Sequence, residues 1–382
     1  MGIKEGRYRV AGTLLINGVS TPWYDASVDI NLYSMASMIT ARGPIYPFDG
    51  TLDLSKVPDY GAMTQKGLVT LALQASYLDT TGSEVPVQMF NLETGYVDET
   101  TDTYEANEFE VIGRSTASVF QDARIASPLA QAVNLRGDQL ASQLFAKHNV
   151  PLTIGATSPS QFVGKAYTDE TYVKAYRARS EWDELTDAAL QDAFVCWVHN
   201  GKGYYGPPSA STPTYNLSWG KDLIGCSINH IARRSHNIAV RVDSHTLATK
   251  SKTTFTYNGP GVSGSSSAAG GGSQTETFRV FIPNLNRNQV RARAKAVWYD
   301  LVTKEFIARL NIIPDAALLS FIAQNGANWT FTLGGVRKSQ NVLYHCRQIS
   351  IKMAAGDTSN PTLSVEIVAA NHFPLQGVGA YQ

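Results

Sequence analysis

The strongest constraint on the fold of this chain is a succession of short β-type segments over its first third. Residues 28–32 alternate strictly between apolar and polar side chains, which places the apolar ones on one face of a strand. Asn17-Gly18 is the residue pair typical of a tight hairpin turn. Further strands are predicted at 8–16, 68–77, 88–96 and 108–112. Short strands joined by turns, among them an acidic, Thr-rich loop at 98–103, indicate a β-sandwich or a β-barrel.

One strand-turn-helix unit stands out at residues 108–125, EFEVIGRSTASVFQDARI. The pattern predicts a strand, then a turn at Gly113-Arg114, and then a short amphipathic helix. In that helix Phe120 is spaced for burial, and Asp122 is expected on the exposed face.

The middle of the chain predicts a small α/β region with two helices and a hairpin. The helices are expected at 138–149 and 181–192, and Ser180 with Asp183 forms the pattern of a capping box at the start of the second helix. Asn200-Gly201 lies between two apolar segments and therefore predicts a hairpin turn.

The last region again has the pattern of strands, together with one helix. The strands are predicted at 224–231, 238–243, 252–257, 277–282, 329–333, 343–353 and 362–369. Apolar residues recur at helical spacing over 288–310, which predicts a helix of about six turns. The Gly- and Ser-rich segment 258–274 has nothing to bury and is expected to be a mobile loop.

Two β-rich regions of similar size therefore bracket the α/β region. We expect domains at 1–130, 131–213 and 214–382, because a chain of 382 residues exceeds what one core usually organises. The predicted fold class is mixed and β-rich (α+β), with a coarse internal duplication of the two β regions.

Composition narrows the function classes. Lys plus Arg and Asp plus Glu both total 32, so the formal net charge is zero, which argues against a dedicated nucleic-acid binder. Charged residues make up 17% of the chain, below the average of about 25%, and this suits a protein that buries much of its surface against partners. Neither a signal peptide nor a run of about 18 apolar residues occurs, so no stable membrane insertion is expected.

No residue pattern points to catalysis or to a bound cofactor. The three cysteines lack CxxC spacing, the seven histidines form no HExxH pattern, and there is no GxSxG or P-loop sequence. We therefore expect no enzymatic activity, no metal and no cofactor. Aromatic side chains such as Tyr204, Tyr205 and Trp219 keep sugar binding open as an alternative to packing.

The order of these elements resembles the central baseplate hub of contractile phage tails. That family includes late control protein D and the N-terminal hub part of type VI secretion spike proteins. The resemblance spans nearly the whole chain and rests on the order of its elements. These are the early hairpin, the segment 23–39, the 108–125 unit, the helix and hairpin of 182–208, the strand pair at 217–242, the helix at 288–310 and the terminal strands. Its signature structural positions are Gly113, Arg114, Asp122, Trp182, Asn200 and Gly201.

The resemblance implies two tail-tube-like β-barrel domains on either side of the α/β domain. It also implies a homotrimer whose six barrels form a pseudo-hexameric ring between the tail tube above and the spike below, with a channel for DNA in transit. Other baseplate proteins and a tape measure protein are further expected partners. The expected location is the virion tail baseplate, after assembly in the cytoplasm of the host bacterium.

The chain ends at Gln382 soon after the last predicted strand, so the spike is expected to be a separate protein. One alternative is a β-rich carbohydrate-binding or carbohydrate-cleaving module of a tail or secreted protein, which would act on glycans as a monomer. A hub of a bacteriocin or of a type VI machine would share the architecture of the phage hub.

Overall fold

The mixed, β-rich fold class is confirmed. A computed structural model describes residues 9–31, 36–45, 70–78, 86–124, 135–158, 180–192, 194–207, 215–230, 238–246, 251–259, 276–282, 285–302, 306–312, 314–354 and 362–371. Its strands are β1 Arg9–Ile16, β2 Val19–Thr21, β3 Asp25–Asn31, β4 Met38–Pro44, β5 Thr70–Leu78, β6 Pro86–Thr103, β7 Glu108–Ser115, β8 Leu152–Ile154, β9 Val195–His199, β10 Lys202–Gly206, β11 Tyr215–Ser218, β12 Leu223–His230, β13 Ile238–Thr246, β14 Ser251–Tyr257, β15 Glu276–Phe281, β16 Phe306–Ile312, β17 Thr330–Gly334, β18 Leu343–Ala354 and β19 Thr362–Ala370. Its α-helices are α1 Ser118–Asp122, α2 Gly137–Lys147, α3 Glu181–Asp192, α4 Arg287–Val302 and α5 Ala316–Asn325.

Strands from both β-rich regions join in one large sheet. The sheet has 13 strands in the order β12-β16-β19-β18-β3-β4-β7-β6-β5-β1-β2, with β11 and β17 off this path. The two ends of the path do not pair with each other in the described residues, so no closed barrel forms within them. The two regions meet where β3 and β18 pair antiparallel, with Val28 opposite Ile351. This β3–β18 pairing is called the intrachain seam below.

The sheet contains the same strand order twice. β3, β4, β7 and β6 form one four-stranded unit, called unit A, and β12, β16, β19 and β18 form a second, called unit B. In each unit the first strand along the chain pairs with the second, the second with the fourth, and the fourth with the third. The internal duplication expected from the sequence therefore has a topological counterpart.

Matching irregularities strengthen this correspondence. The β6–β7 ladder shifts register between Val97 and Glu99, which leaves Asp98 as an extra residue. The β18–β19 ladder shifts between Cys346 and Gln348, which leaves Arg347 as an extra residue. Both bulges lie in the third strand of their unit, opposite the fourth. A bulge bends a strand and increases its twist, so both units are bent at the same place.

Side-chain alternation separates a buried face of this sheet from an exposed one. In β3 the buried positions are Ala26, Val28 and Ile30, and the intervening residues are partly exposed. The buried face forms one continuous hydrophobic core over both units, and α5 lies against β6 beneath it. Removing this apolar surface from water holds the two units together, at about 25 cal/mol for each Å² buried.

The middle region has its own small core. Strands β8, β10 and β9 form a three-stranded sheet, and Phe145 of α2 and Leu185 of α3 pack into the core beside it. The predicted capping box is confirmed: the Ser180 N–H donates to Asp183 Oδ2 at 2.8 Å, and the Asp183 N–H donates to Ser180 Oγ at 3.2 Å. Asn200 and Gly201 both have positive φ, at 48° and 68°, as the predicted hairpin turn requires.

A second three-stranded sheet is formed by the part of the chain that connects the first and second strands of unit B. Its order is β14-β13-β15, and α4 covers it, with Val290, Val297 and Leu301 in the core between them. The predicted helix at 288–310 is wrong in its second half, because α4 ends at Val302 and Phe306–Ile312 forms β16. These residues alternate between buried and more exposed positions and pair on both sides, which a helix could not satisfy.

Two other sequence predictions are wrong because strand pairing extends into residues whose local sequence predicts a loop or a turn. The predicted loop at 98–103 is the end of β6 and pairs with β7. The predicted turn at Gly113-Arg114 lies inside β7, where Gly113 is opposite Ile39 on one side and Val97 on the other. Pairing with two neighbours keeps this backbone extended. Helix α5, capped by Asp315, was missed. Most of the expected mobile loop at 258–274 lies outside the described residues.

Within the described residues, no helix combines the length and the apolar composition that a membrane-spanning segment needs.

Candidate functional site

The exposed face of the eight strands of units A and B forms one continuous surface. The ladders place a set of charged side chains on this face, all partly or fully exposed. They are the acids Asp25, Asp29, Glu99, Glu108, Glu110 and Glu366 and the bases Arg42, Arg114, Arg309 and Lys352. With six acids and four bases, the formal charge of these described residues is −2. We call this surface the polar face.

A shallow groove of about 400 Å³ crosses the intrachain seam on the polar face. Asp25, Arg42 and Lys352 contribute its charged groups. Arg42 Nε donates to Glu110 Oε1 at 3.1 Å, and this hydrogen bond raises the pKa of the arginine. Burial raises the pKa of Asp25, and the charge of Arg42 offsets part of that effect. Both units therefore contribute to one polar surface with paired charges.

Arg114 is hydrogen-bonded to a second signature position, Asp122, and to Asp98. Its guanidinium donates to Asp98 at 2.6 and 2.8 Å and to Asp122 at 2.8 and 3.1 Å. The hydrogen bonds to the two carboxylates raise the pKa of Arg114. Asp98 is the bulge residue of β6, and Asp122 is the last residue of α1. The arginine thus fixes the bulge and the helix to β7, and Gly113 precedes it in the same strand.

Asn200 and Gly201 form the tip of a hairpin that joins all three regions. Asn200 Nδ2 donates to the Asn91 carbonyl at 2.7 Å and to the Ala323 carbonyl at 2.8 Å. Asn91 belongs to β6 of the first region, and Ala323 belongs to α5 of the third. A groove of about 430 Å³ lies beside this three-way junction, and Asn200 and Lys202 contribute to its walls.

The three-way junction contains a buried contact between a histidine and a glutamate that the sequence did not reveal. His199 Nδ1 lies 3.0 Å from Glu93 Oε2, and both side chains are almost completely buried. Glu93 Oε1 accepts from the backbone N–H groups of Thr94 at 3.0 Å and Asn200 at 2.8 Å. His199 Nε2 lies 3.1 Å from the Ile322 carbonyl. Buried polar groups that are hydrogen-bonded in this way hold three elements in one arrangement.

Trp182 occupies a different environment from the other signature positions. It is buried in the core of the middle region, with its ring 6.4 Å from that of Phe120. Phe120 belongs to α1, so the tryptophan packs the helix of the 108–125 unit against the middle region. The six signature positions therefore lie at two junctions and in one core, and they do not form a single cavity.

A second buried polar cluster connects the middle region to α4. Asp192 Oδ2 accepts from Ser158 Oγ at 2.5 Å and from the Tyr205 hydroxyl at 2.7 Å. Burial raises the pKa of Asp192, although these hydrogen bonds and the charge of Arg293 lower it in part. Arg293 is itself buried, and burial lowers its pKa to about 10. Loss of solvation thus acts on both charges of this cluster.

The three aromatic residues considered from the sequence differ in how far they are buried and packed. Tyr205 is completely buried, and Tyr204 stacks on Trp197 with ring centroids 5.5 Å apart. Trp219 is 49% exposed, immediately after β11. In the described residues no group of three or more His, Cys, Asp or Glu side chains could hold a metal ion.

No protein-family model and no curated protein sequence matches the chain. Among solved structures, the tail protein from Neisseria meningitidis MC58 is 11% identical and matches with a TM-score of 0.64, over 97% of this chain and 98% of that one. The 43 kDa tail protein of prophage MuSo2 from Shewanella oneidensis is 14% identical and matches with a TM-score of 0.58, over 94% of this chain and 97% of that one. The resemblance to tail proteins is thus confirmed for the fold, and the chain has the fold of these two proteins over nearly its whole length.

Proposed function

We propose that the chain is a structural protein of a phage tail, and specifically the baseplate hub of a contractile tail. In this proposal it forms a homotrimer whose pseudo-hexameric ring connects the tail tube to the central spike. The observation that carries the proposal is the repeated strand order of units A and B within one sheet. The full-length likeness to two tail proteins supports it.

The relation between the two units supports a ring. Unit B joins unit A through its third strand, and unit A contributes its first strand, so the contact is head-to-tail. A head-to-tail contact generates a ring when the rotation between units closes. Three chains with two units each supply six similar units. Such a ring can match six-fold symmetry on one side and three-fold symmetry on the other.

The polar face is the surface that we assign to the channel. It carries the ten charged side chains named above, and its acids outnumber its bases by two. Stable DNA binding depends on several Lys or Arg contacts to phosphates, each of which releases counterions. A lining with paired charges and a small negative excess would allow DNA to pass without being retained.

We further propose the domain division 1–130, 131–213 and 214–382, in which the middle domain is held to its neighbours by the three-way junction. Gly113, Arg114, Asp122, Trp182, Asn200 and Gly201 are proposed to act as structural positions that fix this arrangement. The proposed partners are the tail tube protein, a spike protein, other baseplate proteins and a tape measure protein. The proposed location is the virion baseplate, and no catalytic role is assigned.

The experiment that tests this proposal is the native mass of the purified chain over a dilution series, followed by electron microscopy. We expect a species of about three times the chain mass of 41.5 kDa and a ring with six similar lobes. A chain that remains monomeric at every concentration and binds immobilised glycans would contradict the hub and favour the carbohydrate-binding alternative.

A further inference from the structure

Two strand segments at opposite ends of units A and B have one edge that pairs with nothing in the described residues. Residues 98–103 of β6 pair with β7 only, since β5 pairs with the earlier part of β6. Residues 225–229 of β12 pair with β16 only. Residues 98–103 are exposed or partly exposed, as are 225–229. An exposed strand edge offers unsatisfied N–H and C=O groups and is a template for another strand.

The intrachain seam shows how such edges meet within one chain. It joins β18, the third strand of unit B, to β3, the first strand of unit A. The two unpaired edges belong to the corresponding strands: β6 is the third strand of unit A, and β12 is the first strand of unit B. One chain therefore contains one strand pairing that joins the two units, here called a joint, and the two unpaired edges that a second joint of the same kind would need.

Corresponding residues give a register for the second joint. Aligning the bulges at Asp98 and Arg347 places Thr101 at the position of Ser350. Following the ladders across each unit then places Ser27 at the position of Ser227. In the intrachain seam Ser350 lies opposite Asp29, and Lys352 lies opposite Ser27.

We propose that β6 of one chain pairs antiparallel with β12 of a second copy of this chain, with Thr101 opposite Asn229 and Thr103 opposite Ser227. This inference rests on the proposed trimer and specifies which strands join its chains. The joint continues the large sheet from each chain into the next and leaves the polar face on one side throughout.

Exposed apolar side chains lie at both of these edges. Tyr104 directly follows β6 and is 64% exposed, and Ile224 in β12 is 65% exposed. In the proposed register Tyr104 falls opposite Cys226, and Ile224 is its diagonal neighbour. Diagonal neighbours are within reach of an aromatic side chain across an antiparallel pair. Pairing would therefore bury two of the large apolar side chains that a single chain leaves in water.

Cysteine pairs test the register directly, because a disulfide requires Cβ atoms about 3.8 Å apart. The matched pairs are Thr101→Cys with Asn229→Cys, and Thr103→Cys with Ser227→Cys. The mismatched pairs exchange partners, Thr101→Cys with Ser227→Cys and Thr103→Cys with Asn229→Cys. All variants also carry Cys226→Ser, which removes the half-buried native thiol, whereas Cys196 and Cys346 are buried. The four positions are exposed, so each variant should fold, and its melting curve confirms this.

After mild oxidation we expect the matched pairs to give covalent trimers on a non-reducing gel, at least tenfold more than the mismatched pairs. Native trimers whose matched pairs do not crosslink above the mismatched ones would overturn the joint and leave the hub proposal standing. Monomers at every concentration would overturn both.

Discussion

His199 and Glu93 face each other at 3.0 Å, Nδ1 to Oε2, at the point where the three regions of the chain meet. The two residues are 106 positions apart in the sequence, and each belongs to a different region. Both side chains are almost completely buried. The contact therefore couples the hairpin of the middle region to β6 in a setting where an unpaired polar group would be costly.

Removing one member of this pair should destabilise the whole chain. We expect Glu93→Ala to lower the free energy of unfolding by about 3 kcal/mol or more, because it leaves His199 and two backbone N–H groups without their acceptor. Glu93→Gln keeps an oxygen acceptor and should cost less. Denaturant titration of both variants measures the difference. Equal and small losses would show that the pair does not hold the junction.

The turn residue Asn200 should contribute through both its backbone and its side chain. Asn200→Gly keeps the positive φ of 48° and removes the two hydrogen bonds to carbonyls, so we expect a loss of about 1–3 kcal/mol. Asn200→Ala removes the same bonds and adds the strain of a left-handed residue, about 1 kcal/mol more. Thermal unfolding of the two variants side by side separates these contributions. An alanine variant as stable as the glycine variant would rule out the strain contribution.

The Arg114 cluster should contribute modestly and respond to salt. The side chain of Arg114 is 26% exposed and bridges Asp98 and Asp122, so Arg114→Ala is expected to cost about 1 kcal/mol at low ionic strength. The cost should shrink at high salt because screening weakens partly exposed pairs. Arg114→Lys keeps the charge but not the forked geometry, and it should restore only part of the loss. A loss that is independent of salt would point to packing instead.

Asp192 should make the stability of the chain depend on pH in the direction opposite to most carboxylates. Burial raises its pKa in the folded state above the ordinary value of 3.8, so the folded chain takes up this proton before the unfolded chain does. The resulting stabilisation is fully present below pH 3.8 and is lost as the pH rises through the folded pKa.

Relative to Asp192→Asn, the wild-type chain should therefore gain stability as the pH falls from 7 towards 4. Unfolding free energies of both proteins over this range provide the measurement. Glu366→Gln, a substitution of an exposed carboxylate in β19, controls for the removal of a carboxylate elsewhere. A difference that stays constant or reverses with falling pH would contradict the assignment.

Features set by neighbouring residues were predictable from the sequence. The Ser180–Asp183 capping box and the Asn200-Gly201 turn depend on groups within three positions of each other, so their patterns are visible locally. The β-rich class followed from alternation in segments such as 28–32. The order of elements was sufficient for the resemblance to tail proteins.

Features set by distant partners were not predictable in this way. β6 continues through Asp98–Thr103 because β7 pairs with it, although the local composition is that of a loop. Helix α4 stops at Val302 because residues 306–312 fit between β12 and β19. Likewise, no sequence pattern indicated the contact of His199, since its partner Glu93 is brought to it by the fold. An internal comparison of the two hairpins β6–β7 and β18–β19 could have revealed the repeat.

The eight strands of units A and B also determine how much of the circumference of the proposed ring one chain supplies. Neighbouring strands lie about 4.8 Å apart, so eight of them span about 38 Å of arc. In the proposed ring, three such arcs give a circumference of about 115 Å and a diameter of about 37 Å at the backbone. Strand tilt widens this bore and the side chains of the polar face narrow it. The number of strands would then set the diameter of the channel and so the width of what can pass through it. A DNA double helix is narrower than this diameter.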